Sequence, residues 1–176
     1  MENVKRRTRM LAHLALLLAI STALSALENM LPPLPFAPPG VRLGLANIVT
    51  MYTLFYMGRR YALAVAALKS LFVLLMRGVT AGALSFAGGV CSILIMMALA
   101  LVFRERISYL LLSIAGATAH NFAQTAAACV IMSTNLMARY WPMLIVAGVV
   151  MGSITGTLLR YVMPYLVKVF KHGGSK

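Results

Sequence analysis

The chain has 176 residues, 61% of them hydrophobic and 11% charged, with a mean hydropathy of +0.89. This excludes a water-soluble domain and indicates an all-α integral membrane protein. Sixteen Lys and Arg against three acids give a net charge of +13, yet the basic residues fall almost entirely between apolar runs. That is how topology signals are distributed, so the charge points to a lipid bilayer and not to nucleic acid.

The apolar runs predict six membrane-spanning helices in one domain covering 1–176, at about 10–27, 41–57, 61–76, 81–103, 107–132 and 141–163. The first follows a basic head of Lys5, Arg6, Arg7 and Arg9. A secretory signal peptide begins the same way, but this run is long for one and no Ala-x-Ala cleavage site follows it. Ala15, Ala19 and Ala23 recur every four residues and form a smooth stripe, suited either to packing within the chain or to docking a partner chain.

A stiff connection rich in proline follows, PPLPFAPPG from Pro32 to Gly40, placed as the mouth of the molecule. The second span opens with Arg42 and Asn47 and ends at the basic turn Gly58, Arg59, Arg60. The third carries Lys69 in its interior. The fourth carries Ser85 and the pair Gly88 and Gly89, and the turn Arg104, Glu105, Arg106 closes it. In the fifth, His120, Asn121 and Gln124 interrupt the apolar surface. The sixth holds Gly148, Gly152 and Gly156 in register, before a basic tail. Cys91 and Cys129 sit in separate apolar runs and read as small buried hydrophobes.

Counting charges sets the orientation. With the amino terminus inside, Lys5, Arg6, Arg7, Arg9, Arg59, Arg60, Arg104, Arg106 and the basic residues from Arg160 onward are cytoplasmic; only Arg42, Arg77 and Arg139 are outside. Both termini are therefore expected in the cytoplasm and the proline connection outside. The polar residues of the spans then gather in the outer half. Lys69 either faces a cavity or snorkels outward, since an ionised lysine at a helix centre costs about 2.5–3.5 kcal/mol on insertion scales. His120, Asn121 and Gln124 either bind a ligand or bond neighbouring helices. Arg42 sits at headgroup level, Asn47 can cap or cross-link helices, and Glu28 can pair with Arg42 or Arg77. With Phe36, Phe86 and Tyr52 as walls, these residues make a net positive pocket for a small anionic or amphipathic solute.

Enzyme chemistry is not expected. The sequence has no Asp; Glu2, Glu28 and Glu105 are scattered, and His13, His120 and His172 lie in different segments. No paired-carboxylate site, metal site or nucleotide-binding loop can be assembled from these, and no cofactor is expected.

The alanine stripe and the motifs PPGVRLGLANIVT, SFAGGVCSILIM and GATAHNFAQ, in this order across six spans, resemble the Gx transporter family, often labelled heptaprenyl diphosphate synthase component I. More broadly the pattern is similar to the S component of energy-coupling factor transporters. The resemblance implies an S-component-like bundle in the cell membrane that captures a small solute from outside. It also implies a coupling transmembrane subunit, docked through Ala15, Ala19 and Ala23, and two cytoplasmic ATPases. Substrate-binding candidates are Arg42, Asn47, Lys69, His120, Asn121 and Gln124. The synthase label implies a second role, as a non-catalytic membrane subunit of polyprenyl diphosphate synthesis or of a quinone or electron-transfer assembly. Chain elongation by the usual enzymes needs aspartate-rich magnesium sites, which this sequence lacks.

Overall fold

A computed structural model describes residues 2–30, 44–103, 107–133 and 135–172. Among these the chain is entirely helical: α1 (Glu2–Met30), α2 (Leu45–Tyr56), α3 (Arg59–Arg77), α4 (Val79–Phe103), α5 (Tyr109–Met132) and α6 (Leu136–His172). All six expected helices are present. Three contain stretches long and apolar enough to cross a membrane, namely Arg7–Glu28, Val79–Phe103 and Arg139–Tyr165, and they mark the chain as a membrane protein.

The turns are sharp, and their chemistry is local. Gly58 and Gly78, at φ 101° and 91°, separate α2 from α3 and α3 from α4 in a conformation costly for any residue with a Cβ. Ser108 caps α5, its side chain accepting from the Leu111 N–H at 3.2 Å. The second helix is shorter than the expected span at 41–57. Its 12 residues reach roughly 18 Å, against a hydrocarbon core of about 30 Å. Its first residue, Leu45, follows Gly44 in the left-handed region, and 41–43 lie outside the described residues, as does the proline connection.

The pairs α5–α6, α4–α5 and α3–α4 make the most extensive contacts, and α2 crosses between them to touch α1, α3, α4 and α6. Gly148, Gly152 and Gly156 let α6 approach α5 closely: a Cβ on Gly152 would lie 2.9 Å from the Ile114 nitrogen and 3.0 Å from the Ser113 oxygen. Leu17, Tyr52, Ile93, Met96, Leu112 and Leu159 form the core around α2, while large apolar side chains such as Leu75, Val102 and Val130 face outward. A lipid environment accounts for that exterior, which water would penalise.

On α1 the inward face is Leu17, Ser21 and Ser25, all buried. The alanine stripe is on the other side. Ala15, Ala19 and Ala23 are exposed among the described residues.

Candidate functional site

Beside the start of α2, five helices line a narrow polar cleft; about 440 Å³ is unfilled there when the open solvent at its mouth is counted, and the enclosed part has room for little more than a water molecule. The last turns of α1 supply Ser25 and Glu28, the start of α2 supplies Gly44 and Asn47, and the middle of α3 supplies Lys69. Ser85 of α4 and Ala117, His120, Asn121 and Gln124 of α5 complete the wall. Five of the six residues expected to bind substrate, Asn47, Lys69, His120, Asn121 and Gln124, thus meet in one cavity. Arg42 lies outside the described residues.

The helical repeat explains the α5 contribution. His120 and Gln124 are one turn apart on the same face, and Asn121 lies beside them against the bundle, 4% exposed. The imidazole packs on α4, where a Cβ at Gly88 would fall 2.8 Å from His120 Cε1 and 2.9 Å from Nδ1. Only glycine leaves room for the ring at that depth.

Glu28 was expected to pair with Arg42 or Arg77. Arg42 lies outside the described residues; the Glu28 carboxylate accepts a hydrogen bond from the Leu45 N–H, at the start of α2 where backbone donors have no helical partner. Lys69 is its electrostatic partner across the cleft. The aromatic walls also differ from expectation: Tyr52 is buried and stacks on Tyr56 at a centroid distance of 5.1 Å, Phe86 faces outward, and neither lines the cleft. Phe36 lies outside the described residues. Among the described residues the lining side chains are mostly polar, with apolar atoms making up about half of the exposed surface.

Two buried polar atoms in this wall, Nδ1 of His120 and Nδ2 of Asn121, have no hydrogen-bond partner among the described residues. Asn121 Nδ2 is a donor, and leaving it unsatisfied costs about 1–3 kcal/mol, which a ligand offering an acceptor would recover; Nδ1 of a neutral His120 donates or accepts according to which ring nitrogen carries the proton. Among the described residues, no group of three or more His, Cys, Asp or Glu is placed to hold a metal. Sequence reasoning left Ser25, Gly44 and Ala117 out of the site, and it placed Ser85 and Glu28 at the right depth without a binding role. The inward four-residue spacing of Ser21 and Ser25 was a usable signal.

No curated protein and no solved structure matches this chain. A family model described as heptaprenyl diphosphate synthase component I matches residues 17–162, a stretch that contains every residue lining the cleft. The family expected from the three motifs is the one found, and the chain belongs to the heptaprenyl diphosphate synthase component I family.

Proposed function

We propose that the chain is the solute-capturing subunit of an energy-coupling factor type uptake transporter, resident in the cell membrane with six spans and both termini cytoplasmic. The observation that carries this reading is the cleft: a polar cavity inside an apolar bundle, with donors in surplus. The Glu28 carboxylate is engaged by the start of α2. A ligand would meet Lys69, which also faces Glu28 across the cleft, together with the Asn121 amide and the His120 imidazole, with Asn47 and Gln124 beside them. Such a set favours a solute rich in acceptors, with a carboxylate or another anionic group.

The sequence has no phosphate-binding loop of its own, so transport energy would come from partner ATPases through a coupling membrane subunit. The exposed face of Ala15, Ala19 and Ala23 suits close helix docking to that subunit. The family's description favours a second reading, in which the chain is a non-catalytic membrane component of prenyl diphosphate synthesis. Native mass spectrometry of the gently purified protein separates the two. A retained small anion, or attached ATPase subunits, is the outcome expected for uptake. An empty protein bound to a soluble prenyltransferase would overturn uptake and establish the second reading.

A further inference from the structure

The Glu28 carboxylate stands where the cleft is best equipped to hold a carboxylate. The Leu45 N–H donates to it, the N–H groups of Gly44 and Ala46 face it, and Lys69 lies across from it. Farther along, the helix takes up its own donors: the Asn47 N–H goes to the Gly44 carbonyl at 2.8 Å. Helix-end amides together with an ammonium are a donor set that suits any carboxylate, whether it belongs to the chain or to a solute.

Space decides between adding and exchanging. The enclosed part of the cleft has room for little more than a water molecule, so a second carboxylate cannot enter beside the first. It has to replace it. Glu28 is placed to give way, since it stands in the last turn of α1, whose carbonyl end disfavours a negative charge, and its side chain is not fully buried. One donor in the same wall stays unanswered while Glu28 is in place. Asn121 is 4% exposed, and its Nδ2 has no partner among the described residues.

We infer that Glu28 is a built-in competitor for the solute: a molecule carrying a carboxylate binds by taking the place of the Glu28 carboxylate at the start of α2 beside Lys69, with a further acceptor for Asn121. The inference rests on the cleft being the solute site proposed above. Lys69 then faces one carboxylate in either state, so its charge is never left unpaired inside the bundle. A neutral molecule that displaced Glu28 would leave Lys69 without a counter-charge. The exchange therefore selects for anions.

The test is calorimetric titration of the purified full chain with acetate, the fragment that Glu28→Ala removes, in wild type, E28A, E28Q and E28A/K69M. Acetate should bind E28A about tenfold or more tighter than wild type, because apparent affinity falls with the fraction of time the site is free. E28Q should lie between them, and Lys69→Met in the E28A background should remove the gain. Hydrogen exchange locates the anion: acetate should slow exchange at the first turn of α2 in E28A, where the carboxylate is missing. Equal acetate affinity in wild type, E28A and E28Q would overturn the inference and leave the cleft as an anion site. So would a gain in E28A without restored protection, which is the result for an anion bound elsewhere and merely relieved of repulsion, or binding of sulfate or inorganic phosphate without acetate. Failure of wild type and of both single variants to bind acetate, sulfate or phosphate would remove the cleft as an anion site, and the inference with it.

Discussion

Glu28 ties the end of α1 to the start of α2 through the Leu45 N–H, and it does so beside Lys69. Replacing it with Ala removes an acceptor from exposed helix-end donors, a loss of about 0.5–2 kcal/mol for capping contacts. The expected result for Glu28→Ala is faster hydrogen exchange at the first turn of α2 and lower thermal stability in detergent, with Glu28→Gln closer to wild type. Unchanged exchange in both variants would show that the carboxylate does not hold the helix. This role was not legible in the sequence, which displays a carboxylate and nearby arginines but not an unsatisfied N–H created by the fold. His120 and Gln124 were legible, because a spacing of four fixes a shared face whatever the surroundings. Lys69 was legible for a different reason: a charge in an apolar run needs somewhere to go.

At the scale of helices, the glycines divide into those that touch backbone and those that do not. Gly152 lies against the α5 main chain, whereas a Cβ on Gly89 would meet only Ala66 Cβ, at 3.6 Å. Gly152→Ala should therefore lower the unfolding temperature, at a cost of about 1–3 kcal/mol. Gly89→Ala should leave stability unchanged or raise it, since glycine inside a helix is about 0.8–1.0 kcal/mol worse than alanine. Equal melting temperatures for Gly152→Ala and wild type would mean that α5 and α6 are not packed this closely. On α1, Ala19→Trp should weaken assembly with partner subunits while leaving anion binding intact, as read by co-purification and titration; undiminished assembly would exclude that face. The register of Gly148, Gly152 and Gly156 could be read from spacing alone. The true start of α2 could not, because the contact that caps it comes from another helix.

Over the whole molecule, hydropathy and length show three crossings plainly, while α3 and α5 carry the polar and charged residues that dilute their signal. Lys69 and the His120 group lower the apolar character of these helices for the same reason that they build the cleft. The proposed six-span arrangement predicts that a cysteine introduced within 32–40, in a background lacking Cys91 and Cys129, reacts with an impermeant thiol reagent added to intact cells. Reaction only after lysis would invert the topology. The packing of the His120 ring on Gly88 also bears on how variants of this protein are read. A survey replacing only residues with functional side chains would pass over position 88, yet Gly88→Ala would have to displace the imidazole. On the proposed reading of the cleft, such a variant would score as a ligand-recognition mutant at a residue that has nothing with which to recognise a ligand, its contribution being the volume it leaves empty.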